Sequence, residues 1–408
     1  VIIPQPGLLN TAEQILALAE ELKGKDLISF DTEFIRENTF FPIVEIIQVA
    51  TDEKSWIVDA RAFKKAFRAG PRGGYDLGIQ PLLEIFRDRK ILKILHAAQG
   101  DQECLFTSFG VVAAPTLDTA IAASLLGYGD NVGLGKLLSA VLNVTIKKGH
   151  ARTNWSVRPL PEQLVEYAHA DVEHLTTLGR RLIEQLDKSD RRPWALELSA
   201  KWEDESLYDP APEAIAQKLA RGGRVDKKGY GALVELVKWR EERVKQLNLP
   251  RKWVADDTVL LDLAHVRPKD MEHLGAFRGL NKGELKNSGT LILKAIERAM
   301  SLNQQEAVAP PKYDKPEMPT PDEGQALELL KCYVGILADK HGVATRHLLS
   351  SALLLKILRG KFSQPEELVS SQILGAESAK LIGAELLAFV QGKRALSVQG
   401  TRIEIKEL

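Results

Sequence analysis

Phe30-Asp31-Thr32-Glu33 closes the apolar run Leu27-Ile28-Ser29-Phe30, and how it is read decides the fold. The run reads as a β-strand, whose two-residue side-chain period points Asp31 and Glu33 to one side. Two carboxylates at one strand end repel unless positive charge lies between them, and a divalent cation can supply it at neutral pH. The other reading of Asp-x-Glu is a solvated strand end. The choice turns on whether further carboxylates arrive from elsewhere in the chain.

Upstream, Thr11 with Gln14 three residues on forms a capping box, and Ile15, Leu18, Ala19 and Leu22 make a helical stripe ending at Gly24. Strands are expected over residues 27–34, 43–50 and 55–59, with spacings short enough to favour consecutive antiparallel pairing. A helix over 80–88 precedes a fourth strand over 91–95, and from His96 to about Asp187 the pattern is mostly helical. Three antiparallel strands, then strands alternating with helices, describe a mixed α/β sheet.

Further carboxylates do arrive. Leu164, Ala168, Val172 and Leu175 set an apolar helical stripe, with Tyr167 and Asp171 one turn apart along its edge. A carboxylate beside such a stripe is costly to desolvate without a polar partner, although a surface Tyr–Asp hydrogen bond has the same spacing. After the fourth strand, His96-Ala97-Ala98-Gln99-Gly100-Asp101 puts Asp101 near a helix start, where the dipole favours an anion. Hard oxygen ligands without His or Cys neighbours select Mg²⁺ or Mn²⁺ over zinc.

A length of 408 residues implies about two to four domains. Cys104 and Cys332 are the only cysteines, which excludes a disulfide framework and a cysteine zinc site. No apolar run approaches membrane-spanning length, so a soluble cytoplasmic protein is expected. Net charge is zero but unevenly spread: residues 1–226 hold 27 Lys and Arg against 32 Asp and Glu, and residues 227–302 hold 15 against 10. An acidic half beside a basic module fits carboxylates that hold metal beside a neighbour that holds phosphate, or two domains that attract each other. Arg61, Lys64, Lys65, Arg68 and Arg72 in a Gly-rich setting read either as a phosphate-contacting loop or as a solvated one.

The strings Phe30-Asp31-Thr32-Glu33-Phe34, Asp118-Thr119-Ala120, Trp155-Ser156-Val157-Arg158-Pro159-Leu160 and Tyr167-Ala168-His169-Ala170-Asp171-Val172 together resemble the ribonuclease D family. That family is the tyrosine branch of the DEDD superfamily of 3′ to 5′ exonucleases, and the match runs in order through residues 1–200. The resemblance implies an α/β ribonuclease H-like exonuclease domain with a mixed sheet, and two-metal hydrolysis at RNA 3′ ends, tRNA precursors first among them. It also implies catalytic roles for Asp31, Glu33, Asp101, Tyr167 and Asp171, the four carboxylates being the metal ligands. Asp31 would bridge two Mg²⁺ or Mn²⁺ ions, Glu33 and Asp171 would complete the first site, and Asp101 would bind the second. Tyr167 would orient the attacking water. Phe34, His96, Asn154 and Trp155 are candidate substrate contacts. Two features depart from the family pattern: Asn154 stands where an Asp is usual, and the segment 61–74 is longer than the usual connection.

Residues 230–302 resemble the small helical module, HRDC, shared by ribonuclease D and RecQ-type helicases; Trp239 there reads as core or as a base-stacking platform. The expected organisation is an exonuclease domain over 1–208, a basic linker over 209–229 and a first all-α module over 230–302. A Pro-rich linker over 303–321 and a second helical module over 322–408 complete it. A monomer acting on RNA with a free 3′ end is expected. The rival readings are a DNA 3′ exonuclease with the same site and a non-catalytic RNA-binding scaffold.

Overall fold

The computed structural model describes residues 7–64, 75–146, 153–221, 225–277, 279–301 and 318–408. Lys65, Arg68 and Arg72 of the basic loop, and most of the Pro-rich linker, lie outside these residues.

Strand β1 (Leu8–Leu9) leads into α1 (Ala12–Leu22), whose Thr11–Gln14 capping box forms as the sequence predicts and contributes about 1 kcal/mol. Next come β2 (Leu27–Ile35), β3 (Ile43–Ala50), β4 (Ser55–Asp59), α2 (Gln80–Arg87) and β5 (Leu92–Leu95). After α3 (Gln99–Phe109), a short strand β6 (Thr116–Asp118) interrupts the stretch expected to be helical. Helices α4 (Thr119–Leu125), α5 (Leu134–Leu142), α6 (Glu162–Glu173), α7 (Leu175–Lys188) and α8 (Arg192–Ala200) follow. The six strands form one mixed sheet in the order β1-β4-β3-β2-β5-β6. β2–β3 and β3–β4 pair antiparallel, and β1–β4, β2–β5 and β5–β6 pair parallel. This is the mixed sheet expected of a ribonuclease H-like domain.

One face of the sheet is covered by α1, α2 and α3 around Phe30, Ile47, Val49 and Phe86. The other is covered by α6 over Ile46 and Ile57, and by α4, α7 and α8 over Leu27, Ile94 and Leu117. Helix α7 lies close on β5: a Cβ at Gly179 would come within 2.8 Å of Ile94.

The segment expected as a basic linker contains a helix, α9 (Pro212–Ala220), whose Ala216 and Ala220 join the core of the first module. That module comprises α10 (Lys227–Leu247), α11 (Arg251–Val254), α12 (Asp257–Val266), α13 (Met271–Gly275) and α14 (Lys282–Ser301). Trp239 is buried within it, which excludes base stacking there. The second module opens with α15 (Pro321–His341), α16 (Thr345–Leu348) and α17 (Leu354–Arg359) and continues through short helices to Val390. It ends in an antiparallel hairpin, β7 (Arg394–Gln399) and β8 (Arg402–Glu407), which the helical spacing did not anticipate. Among the described residues no helix is long and apolar enough to cross a membrane.

Candidate active site

Asp31 and Glu33 sit opposite Gln48 and Ile46 of β3, on the face covered by α6. Thr32 points to the other face. β5 pairs with β2 at Leu27 to Ser29, and beyond that point no strand among the described residues pairs with the β5 side of β2. Asp101, in the first turn of α3, fills the gap: its Oδ1 accepts the Thr32 N–H at 2.9 Å and the Thr32 hydroxyl at 2.6 Å. A bulge between Glu33 and Phe34 then turns the strand, and Phe34 lies against Gly100.

Asp101 is placed by a residue that the sequence reading quoted but gave no role. Asp118 is buried at the end of β6; its Oδ1 accepts the N–H of Ala97 at 2.9 Å and its Oδ2 that of Ala98 at 3.0 Å. Its Oδ1 also caps α4 through Ala120. The two turn bonds hold Ala97 at φ +58°, a conformation that costs an L-residue about 1 to 2 kcal/mol. The turn from β5 into α3 is thereby fixed, and with it the direction of Asp101. An Asp before a helix was the available signal, but its reach back to residues 97 and 98 needs the parallel β5–β6 pair.

Helix α6 brings Tyr167 and Asp171. It is pinned to β4 by His169 Nδ1 and Ser55 Oγ at 2.8 Å, and near its end by Ser29 of β2, whose hydroxyl contacts the Val172 carbonyl at 3.4 Å and Thr176 at 2.7 Å. These contacts set Asp171 against Asp31. The Tyr167 hydroxyl donates to Asp171. Trp155 is only 2% exposed, with its ring 6.1 Å from that of Tyr167. It therefore supports the tyrosine from beneath. Its loop is fastened by Arg158, which donates to the Asp59 carboxylate at 2.7 and 3.0 Å and to the Trp155 carbonyl at 2.7 Å.

Asn154 is exposed and folds its own loop, its Oδ1 accepting from Ser156 N and Oγ. His96 is partly buried; Nδ1 meets Thr119 Oγ1 at 2.8 Å, and the ring also bonds the Val132 backbone. Both ring contacts are internal, so His96 supports the site's walls. Of the basic loop, Lys64 Nζ is held by the Val44 carbonyl and Arg61 Nη1 by the Ser156 carbonyl, so these two described members are committed to the protein itself.

Carboxylate oxygens of Asp31, Glu33 and Asp171 all lie within 4.8 Å of one another. Asp101 stands outside that trio but acts on it electrostatically. Burial is the largest cause in raising all four. Asp31 is pushed well above the carboxylate range, with Asp101, Asp171 and Glu33 adding repulsion. Glu33 rises to about 8 with repulsion from Asp171 and Asp101, and Asp171 rises to about 6 against the Tyr167 hydrogen bond. Asp101 rises to about 7 although Thr32 donates to it twice. Bonds of about 1.5 to 3 kcal/mol each do not offset desolvation of a charge beside other charges. Among the described residues no Lys or Arg is among the causes that lower any of the four, whereas Asp59 and Glu103 have guanidinium partners. A cluster of oxygen donors that the protein leaves uncompensated fits a divalent cation.

Beside this cluster opens a cavity of about 670 Å³. Tyr167 and Asp171 line one side, and Tyr128, Asp130, Asn131 and Lys136 line the other.

A family profile described as 3′-5′ exonuclease matches residues 8–187, and one described as HRDC domain matches residues 231–296. A ribonuclease D of Gluconacetobacter diazotrophicus is 32% identical over 98% of this chain and 97% of its own. That of Zymomonas mobilis is 32% identical over 97% of each. Among solved structures, Escherichia coli RNase D, described as an exoribonuclease involved in structured RNA processing, has a TM-score of 0.74 at 24% identity, over 96% of this chain and 99% of that one.

Proposed function

This chain belongs to the ribonuclease D family and is a hydrolytic 3′ to 5′ exoribonuclease; on that premise we propose that it trims the 3′ ends of structured RNA, tRNA precursors first among them, with two Mg²⁺ or Mn²⁺ ions held by Asp31, Glu33, Asp101 and Asp171. The observation that carries the reading is the convergence of three carboxylates within 4.8 Å, with Tyr167 bonded to one of them at the mouth of a cavity.

Asp31 would serve both ions, with Glu33 and Asp171 completing one site and Asp101 holding the other ion. When bound, the ions polarise the phosphate and lower the pKa of water. Asp101 has Oδ1 committed to Thr32, which leaves Oδ2 as its ligand oxygen. Burial and the adjacent carboxylates raise the Tyr167 hydroxyl, so it stays protonated at neutral pH and orients water as a hydrogen-bond partner rather than acting as a base. The water oxygen bonds to the terminal phosphorus as the bond to the preceding nucleotide's 3′ oxygen breaks. A nucleoside 5′-monophosphate leaves and a new 3′ hydroxyl remains. The protein acts as a monomer in the cytoplasm.

The test is trimming of a 3′-extended tRNA precursor by wild type and Asp31→Asn, beside matched RNA and DNA oligonucleotides. We expect Mg²⁺- or Mn²⁺-dependent release of monophosphates from RNA, and loss of at least about a thousandfold in rate with Asp31→Asn. Undiminished trimming by that variant would remove the site assignment. Faster hydrolysis of DNA would replace the substrate.

A further inference from the structure

The far wall of the cavity is a loop with little reason of its own to hold one shape. Gly127, Gly129 and Asn131 all have positive φ, and no regular structure spans residues 126–133. Inside the nuclease domain the loop is tied by the Tyr128 hydroxyl to Gln185 at 2.9 Å and by the His96 contact to Val132. Its outer side is held by the second helical module. Arg346 of α16 donates Nη1 to Asn131 Oδ1 at 2.6 Å and pairs with the Asp130 carboxylate. Just behind, His347 Nε2 meets Ser124 Oγ at 2.8 Å, Ala344 N–H donates to the Ser124 carbonyl at 2.8 Å, and a Cβ on Gly127 would lie 3.4 Å from the Gly342 backbone. Arg191 of the nuclease domain donates to the Leu125 and His341 carbonyls, which closes the joint.

Asp130 and Asn131 therefore face two ways: toward the cavity shared with Tyr167 and Asp171, and back toward Arg346. The guanidinium does two things to this wall. Its Nη1 meets two adjacent loop side chains while its Nε donates to His347 Nε2 at 3.2 Å, a planar fork spanning loop and module that the single nitrogen of an ammonium does not reproduce. It also neutralises Asp130, whose free carboxylate would repel a polyanion entering the cavity.

We propose that Arg346, on the second helical module, is a positioning residue for RNA binding, and that this module braces the wall of the active-site cavity. The proposal rests on the reading that this cavity receives the RNA 3′ end. It gives the module a task that does not require it to contact RNA.

The experiment compares full-length wild type, Arg346→Ala, Arg346→Lys and Arg346→Ala/Asp130→Asn. Steady-state trimming, Mn²⁺ binding by calorimetry, and amide exchange of the 128–135 segment are measured for each. Arg346→Ala should raise KM about tenfold with kcat within about twofold. Its loop amides should exchange about tenfold faster while Mn²⁺ affinity is unchanged. Adding Asp130→Asn should recover part of the KM loss, because the repulsion is gone while the loop remains loose. Unchanged KM and exchange in a folded, Mn²⁺-binding Arg346→Ala protein would overturn the brace. If Arg346→Ala does not fold, Arg346→Lys carries the test: it keeps the charge but not the fork, so unaltered loop exchange would overturn the proposal. Failure of the underlying reading looks different, because wild type itself would then trim no RNA.

Discussion

Two acidic clusters lie on one sheet and are treated in opposite ways. On β3 and β4, Glu45 and Asp59 are buried with cationic neighbours: Arg158 grips Asp59, and Arg61 stands 3.6 Å from Glu45. On β2, Asp31 and Glu33 meet Asp101 and Asp171 with no cation among the described residues to offset them. The first arrangement holds the Trp155 loop under Tyr167. The second is repulsive when ionised, and protons or a divalent cation relieve it. The difference separates charge used to build the molecule from charge left open for function.

Removing charge should accordingly have opposite consequences in the two places. The largest effect is expected for Asp31→Asn, which should abolish trimming and yet raise the melting temperature in EDTA, because it relieves repulsion; a lower melting temperature would mean that the β2 cluster is structural. Arg158→Ala should destabilise by about 3 to 5 kcal/mol by leaving Asp59 buried and unpaired. Urea unfolding would show this, and a change below about 1 kcal/mol would equate the pair with a surface ion pair.

The pH dependence sharpens the same contrast. Glu33, Asp101 and Asp171 have folded values near 8, 7 and 6, above their unfolded values near 4. The unfolded chain therefore releases these protons first. The cluster's contribution to stability is present below about pH 4 and is lost as pH rises toward about 8. Melting in EDTA at pH 5.5 and 8.5 should show a fall that Asp31→Asn reduces and Mn²⁺ cancels. A profile identical in wild type and variant would contradict it. The smallest effect is expected for Tyr167→Phe: turnover lowered about tenfold or more with Mn²⁺ affinity nearly unchanged, read from kcat beside calorimetry.

Much of this was legible in the residue order. The strands over 27–34, 43–50 and 55–59 and helix α1 with its capping box formed within a residue or two of expectation, because side-chain periodicity and caps are local signals. All four carboxylates stood out by residue type, near element ends or, for Asp171, along the edge of an apolar helical stripe. Asp118 did not, because an Asp before a helix explains itself as a cap, while its bonds to Ala97 and Ala98 depend on strands that meet only in the fold. That Trp155 is covered was not legible either, because aromatic character says nothing about which side of a loop is buried. The three-residue β6 is too short to show a period.

The chain by itself determined which groups could do chemistry and which elements would carry them, since helix, strand and charge are properties of neighbouring residues. Only the tertiary structure decided which groups meet. Thr32 and Asp101 are 69 residues apart, Asp59 and Arg158 are 99 apart, and Asn131 and Arg346 are 215 apart. Contacts at that separation depend on sheet register and on which helix face is buried, and these are set by the packing of the whole core at once. The carboxylates are written in the sequence; their unneutralised meeting beside a wall that a distant module holds in place is a product of the fold.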